Sequence, residues 1–305
     1  MPLDPQARAF LDMMRNVPQP PEISLQDFRG ALAALVPTGA PEPVARVEEL
    51  TIPGGDRQPL GLRIYAPTGT RPLPVVVWLH GGSFTRGTVD TFDAARRMFA
   101  NLCSCVVVAV EQRLSPEATF PAPLEDGYAA AVWAAEHAAD FGGDPRRLGV
   151  GGESSGGNLA AALTLVARER RAPNLAFQIL VAPLLDASCS SPSASAFAEG
   201  YVLTRAQLAW SYRQYAPGVR SDHPLLSPLY EPDLHGLPRA VVITMEFDPV
   251  RDEGERYADR LAAAGVPVGR ARVEGMVHHY PGERGAMAVI ELTRSLLAAL
   301  DPAGC

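Results

Sequence analysis

The sequence predicts an α/β protein: an eight-stranded, mostly parallel sheet flanked by helices, with a helical cap. Three observations carry that expectation. Short β-branched runs alternate with Ala- and Leu-rich stretches of strong helix formers after a proline-dotted start. A Ser/Pro-rich stretch followed by an amphipathic helix breaks this alternation from Asp186 to about Pro217. A chain of 305 residues, 47% apolar and 20% charged, can bury one large core with a small appended piece.

Taken in order, the strands are expected at "VEELTIP", "LGLRIYA", "PVVVWLH", "CVVVAVE", "RLGVGG", "AFQILVA", "AVVITME" and "GRARVEG". The first two lie close enough to pair as an antiparallel edge. Between them, "APLEDGYAAAVWAAEHAA" and "GNLAAALTLVARER" have helical composition. An insertion between two sheet strands normally lies over the carboxyl ends of the sheet, where α/β proteins bind ligands. The expected organisation is therefore 1–45 as the N-terminal part of a cap, 46–185 and 218–305 as two parts of one core, and 186–217 as the cap insertion.

The net charge of −7 comes without a long acidic or basic run, which argues against a nucleic-acid groove. No apolar run reaches the roughly 18 residues of a membrane span. The start "MPLDPQARAF" lacks the basic-then-apolar order of a signal peptide. The expectation is a cytoplasmic protein without membrane insertion. Cys103, Cys105, Cys189 and Cys305 form no CxxC pair and read as buried or idle thiols.

The stretch "GVGGESSGGNLAAALTL" (149–165) carries the chemistry. A strand ends in "RLGVGG" and a helix begins at "GNLAAALTL", so Gly152-Glu153-Ser154-Ser155-Gly156 is a GxSxG pentapeptide in strand-turn-helix context, the setting of a nucleophile elbow. Glycines are needed two residues either side because the nucleophile sits on a strained turn against neighbouring backbone. Only Ser154 has both. Ser155 is flanked by Glu153 and Gly157 and reads instead as a backbone oxyanion donor. Gly149-Val150-Gly151 also begins a dinucleotide fingerprint, but Ser154 stands where its third glycine belongs.

The third expected strand runs into "WLHGGSFTRG", where His80-Gly81-Gly82-Ser83 matches a loop that offers backbone N–H groups to a developing oxyanion. The acid and base of this scaffold follow the serine in that order. Asp248 falls in the turn after "AVVITME" and also suits a helix N-cap, with Pro249 at a first helical position. Asp252 and Glu253 read as a solvated first helical turn favoured by the helix dipole. The last strand ends in "GMVHHYPG", placing His278 and His279 where a base belongs. His80, His137, His223 and His235 do not follow the acid in the chain.

Together these pieces, over about residues 70–285, resemble the hormone-sensitive-lipase-like α/β-hydrolases, the bacterial family IV carboxylesterases. "HGGSFTRG" is similar to the family's HGGG-aromatic loop, "EQRLSPEATFPAPLEDGYAAAVW" to its YRLAPE…PFPA..ED segment, and "GGESSGGNLA" to its GDSAGGNLA elbow. "DPVRDEGERYA" is similar to its DPLRDEG segment and "GMVHHY" to its GMxHGF segment. The departures are Ser83 for the third glycine, Gln112 for the tyrosine, Glu153 and Ser155 for Asp and Ala, and His279 for Gly. The resemblance implies an α/β-hydrolase fold and a triad of Ser154, Asp248 and His278. It implies an oxyanion hole from the N–H groups of Gly82, Ser83 and Ser155, with no metal or organic cofactor.

The implied activity is that of a carboxylic ester hydrolase acting through an acyl-enzyme on small-molecule esters of short to medium acyl chains. Dimers through the last strand and helix are frequent in the family, which makes a homodimer an expectation too. An amidase uses the same atoms and stays open. The plant gibberellin receptor resembles this family yet lacks the triad histidine, whereas this chain retains all three triad residues.

Overall fold

The computed structural model describes residues 2–33, 41–69, 72–278 and 283–300. Two helices, α1 (Pro5–Met14) and α2 (Leu25–Ala33), precede an antiparallel pair, β1 (Arg46–Pro53) and β2 (Pro59–Ala66). Strands and helices then alternate: β3 (Leu73–Leu79), α3 (Asp93–Cys103), β4 (Val106–Val110), α4 (Ala122–His137), β5 (Gly143–Glu153), α5 (Ser155–Arg170) and β6 (Phe177–Val181). After α6 (Pro192–Ala196) and α7 (Arg205–Tyr215) the alternation resumes with β7 (Arg239–Phe247), α8 (Arg251–Ala263), β8 (Val268–Val277) and α9 (Glu283–Ala298).

The eight strands form one sheet in the order β1-β2-β4-β3-β5-β6-β7-β8. β2 is antiparallel to both β1 and β4, and every pairing from β4 to β8 is parallel. All eight expected strands are present and the first two do form the antiparallel edge. The physical cause is visible in the strand sequences. "VVVAV" of β4 and "FQILV" of β6 are buried at every position, as a strand covered by helices on both faces must be. Edge strand β1 alternates and keeps one face toward solvent. α5 is apolar around most of its circumference and buried from Ser155 to Ala167, so it forms the centre of one helical layer rather than its surface.

The break in the alternation contains two helices, not one: the Ser/Pro-rich loop itself folds into α6, whose N-terminal Ala194 N–H is accepted by Ser191 Oγ. α7 is capped in the same way by Thr204, which accepts the Gln207 N–H at 3.0 Å. α7 lies on the loop after β3, with the Phe84 ring stacked on Tyr215 at 4.0 Å. α2 closes on both. Phe28 meets Trp210 of α7 edge-on at 5.7 Å, and the Arg86 guanidinium lies 3.5 Å from the centre of the Phe28 ring. Arg29 donates to the Thr85 and Ser115 carbonyls and pairs bidentately with Glu117. The first segment and the insertion are thus packed together over one end of the sheet.

Cys103, Cys105 and Cys189 are buried free thiols, and burial raises those of Cys103 and Cys189 to about 12, so they stay protonated. Cys305 lies outside the described residues.

Phe28 is fully buried at the junction of α2, α7 and the loop after β3. Phe28→Ala is expected to destabilise the protein by about 3–5 kcal/mol, read as a lower urea midpoint, with faster proteolysis inside residues 1–45. An unchanged midpoint would show that this junction contributes nothing to the fold.

Candidate active site

The site is assembled at the carboxyl ends of β3, β5, β7 and β8. β5 ends at Glu153 and α5 starts at Ser155, leaving Ser154 alone on the turn with φ 56° and ψ −122°. That backbone is strained for a residue with a Cβ, and the surroundings enforce it. A Cβ on Gly152 would collide with the Gly156 carbonyl, and a Cβ on Gly156 with the Leu79 carbonyl. Ser154 is held from both sides: its N–H donates to Val181 O at 2.9 Å, and its carbonyl accepts from Asn158 and Leu184.

His278, one residue beyond β8, brings its Nε2 to 2.9 Å from Ser154 Oγ and its Nδ1 to 2.8 Å from Asp248 Oδ2. Asp248 is fully buried and His278 is 3% exposed. A carboxylate only accepts, so the imidazole Nδ1 carries the proton and Nε2 is left to accept from the serine hydroxyl. The other oxygen of Asp248 accepts the Val250 N–H at 3.0 Å, so the carboxylate both holds the turn into α8 and faces the imidazole. α8 begins at Arg251, so Pro249 lies ahead of the helix rather than at its first position. His279 lies outside the described residues.

The His80-Ser83 loop abuts the elbow. A Cβ at Gly81 would lie 3.3 Å from Ser154 Cβ. Gly82 has φ 126°, Ser83 φ 59° and Phe84 φ 61°, and a Cβ on Gly82 would strike the Arg86 carbonyl. The turn at Ser83 therefore favours glycine, which explains the glycine of the family loop at this place. Ser83 instead accepts a long hydrogen bond, 3.4 Å, from Gln207 of α7. The backbone N–H groups of Gly82, Ser83 and Ser155 are uncommitted among the described residues. Gln112, standing for the family's tyrosine, fastens the loop's start by donating to the His80 carbonyl at 2.9 Å. Burial lowers the pKa of the His80 imidazole, which favours its neutral form.

Three acidic residues have roles that sequence reasoning missed. Glu153, noted only as a departure from Asp, is 6% exposed and buries its carboxylate under the loop. It accepts from the Gly81 N–H at 3.0 Å, from Arg96 Nη2 at 2.7 Å and from the Trp78 indole. Arg96 also lies 4.4 Å over the Trp78 ring. A charge at the end of the buried, uncharged run Leu148–Gly152 implies a buried partner, yet Arg96 is 57 residues away and no spacing points to it.

Asp252 and Glu253 are not a solvated first turn. Asp252 accepts the Ser193 N–H at 2.8 Å while its own N–H donates to Ser193 Oγ, clasping α6. Glu253 is 3% exposed and accepts the Leu185 N–H at 2.7 Å. The helix dipole accounts for acids at this end of α8, but the segment after β6 folds against both, leaving Asp252 half-buried and shutting Glu253 away from water.

A cleft of about 1260 Å³ opens between the N-terminal segment and the insertion, with Leu11, Met14, Pro18, Tyr201, Val202 and Ala206 in its walls. Ser154, Asp248 and His278 do not line it, so the candidate site is marked by their hydrogen-bonded chain and not by cavity size. Among the described residues no cluster of metal-ligating side chains occurs, and no helix is long and apolar enough to cross a membrane.

A sheet of this order, with a serine on the turn from β5 to α5, defines the α/β-hydrolase class. A family model described as alpha/beta hydrolase fold matches residues 76–282. The chain is 41% identical over 271 residues to the carboxylesterase NlhH of Mycobacterium tuberculosis, covering 86% of this chain and 84% of that one. It is 36% identical over 287 residues to an arylesterase of Saccharolobus solfataricus, covering 92% and 93%. The solved structure of an ester-hydrolase from the metagenome of Lake Arreo superposes with a TM-score of 0.92 at 35% identity, covering 98% of this chain and 99% of that one. The protein belongs to the alpha/beta hydrolase family, in its hormone-sensitive-lipase-like, family IV carboxylesterase branch.

Glu153→Ala removes the carboxylate that Arg96 and the Gly81 N–H share. The buried guanidinium left behind is expected to cost about 3–5 kcal/mol in urea denaturation, and the freed loop to lower turnover in the fraction that remains folded. Parent-like stability and turnover would exclude Glu153 as the loop's anchor.

Proposed function

We propose that the protein is a serine carboxylesterase that hydrolyses short- to medium-chain esters, with Ser154 as nucleophile, His278 as general base and acid, and Asp248 as its partner. The observation that carries this reading is the unbroken chain Asp248 Oδ2, His278 Nδ1, His278 Nε2, Ser154 Oγ, with both links under 3 Å. His278 takes the serine proton as Oγ attacks the ester carbonyl. The N–H groups of Gly82, Ser83 and Ser155 receive the negative charge that develops on the carbonyl oxygen. His278 then returns the proton to the leaving alkoxide, and the same sequence with water releases the acid. Asp248 fixes the imidazole tautomer and stabilises its cation.

We read residues 1–45 and 186–217 as the cap, and 46–185 with 218–305 as the catalytic core. The Phe28–Trp210 and Phe84–Tyr215 contacts support that division. β8 ends the sheet, and its outer edge supports a homodimer through the last strand and helix. The free, buried cysteines support a cytoplasmic setting.

Ser154→Ala is expected to abolish both ester turnover and covalent capture of an organophosphonate, while Ser155→Ala keeps both. Asp248→Asn should lower kcat by about 10⁴-fold, and Asp252→Asn far less. Kinetics on p-nitrophenyl esters of increasing acyl length and mass spectrometry of the adduct check this. An adduct on Ser155, or near-parent rates in Asp248→Asn, would overturn the assignment.

Ser83 tests the oxyanion loop. Ser83→Gly relieves the positive φ and is expected to stay active, whereas Ser83→Pro deletes the N–H and should lose about 10²- to 10³-fold in kcat. The comparison is made on variants whose thermal midpoints match the parent, since proline also restrains the loop. A folded Ser83→Pro variant with parent turnover would mean that this N–H does not face the oxyanion.

A further inference from the structure

Glu253 lies on the first turn of α8, almost fully buried, and no arginine or histidine pairs with it among the described residues. The groups that face it are Asp248 on the turn before α8, Asp186 and Cys189 on the segment after β6, and the Tyr212 hydroxyl of α7. None is a cation. Burial first, with the Asp186 and Asp248 carboxyls adding to it, pushes its pKa well above the ordinary carboxylate range, against the lowering effect of the Leu185 N–H and, more weakly, the Asp186 N–H.

Its hydrogen bond closes a path between two turns of the active site. Glu253 Oε1 accepts the Leu185 N–H at 2.7 Å. The preceding residue, Leu184, donates its N–H to the Ser154 carbonyl at 3.2 Å and accepts from Asn158 Nδ2 of α5 at 2.7 Å. At the other end, Glu253 is carried on the same turn-and-helix segment as Asp248. The acid turn and the nucleophile turn are therefore joined by a route that does not pass through His278.

We propose that Glu253 is a positioning residue: by gripping the Leu185 N–H it straps the acid turn to the nucleophile turn and sets the span that His278 bridges between Asp248 and Ser154. The inference rests on the reading of these three residues as the triad. The strap works with a neutral side chain, because what Leu185 requires is one acceptor oxygen. Glutamine supplies that oxygen at the same reach, leucine fills the space without it, and aspartate is too short by one methylene.

The test compares Glu253→Gln, Glu253→Leu, Glu253→Asp and Ser154→Ala on p-nitrophenyl butyrate, with thermal midpoints. In Glu253→Leu, kcat is expected to fall by about 10²-fold with KM held, because misplacement by about 1 Å is enough for such a loss. Glu253→Gln should stay near the parent. Where the leucine variant does not fold, Glu253→Asp takes its place, with a loss in kcat that the glutamine variant does not share. The stability profile gives a second reading. A carboxyl whose folded pKa is raised loses stability as pH climbs from the ordinary carboxylate range toward the raised value, so the midpoint of Glu253→Gln should gain on the parent as pH rises through that window.

A folded Glu253→Leu or Glu253→Asp variant with parent kcat, or an equal loss in Glu253→Gln, overturns the strap while an inert Ser154→Ala leaves the nucleophile standing. Residual turnover in Ser154→Ala overturns the nucleophile, and the strap with it.

Discussion

The architecture turns on one close approach of backbones. At the end of β5 the chain reverses into α5 at Ser154, and the reversal is so tight that Gly152, Gly156 and the Leu79 carbonyl of β3 leave no room for a Cβ. This contact forces three elements together: β3, whose continuation is the His80-Ser83 loop, β5, and the buried helix α5. It also forces Ser154 into a backbone conformation that an L-residue avoids, and the hydrogen bonds to Val181, Asn158 and Leu184 oppose relaxation. The serine hydroxyl is presented beside the loop because the backbone has nowhere else to go.

Around this turn the protein buries several carboxyl groups, and each is resolved differently. Glu153 has a cation, Arg96, and uses its remaining capacity on the Gly81 N–H, so an ion pair becomes a support for the loop. Asp248 has the His278 imidazole on one oxygen and a backbone N–H on the other. Glu253 has a backbone donor and carboxyl neighbours, and burial resolves it by favouring the proton. Desolvation makes each group expensive to leave unpaired, which is why the backbone around them is so fully determined.

The helices before β1 and between β6 and β7 are tied to these same turns. α7 stacks on Phe84, one residue beyond Ser83, and donates to the Ser83 hydroxyl. α2 reaches the loop through Arg29 and the Arg86–Phe28 contact, and α6 is clasped by Asp252 from the helix that follows Asp248. These helices are therefore held directly against the His80–Ser83 loop and the turn into α8.

The sequence by itself determined the sheet, because strand and helix periodicities are local. Runs such as "VVVAV" and the Ala-rich "GNLAAALTL" have one economical conformation each, and all eight strands were legible. Ser154, Asp248 and His278, which the structure joins by hydrogen bonds, could be singled out as candidates for a related reason: each stands at the end of a recognisable strand, within a short motif. Only the tertiary structure decided what the acids around them do. Glu153 and Arg96, Glu253 and Leu185, Asp252 and Ser193 are paired across 57 to 68 residues of chain, and no local pattern encodes such a distance. Asp252 and Glu253 looked solvated because the dipole of α8 favours acids at its start whether or not another segment later covers them. Whether water reaches a side chain is a property of the assembled fold, and it was burial that turned a favourable helix start into a clasp and a strap.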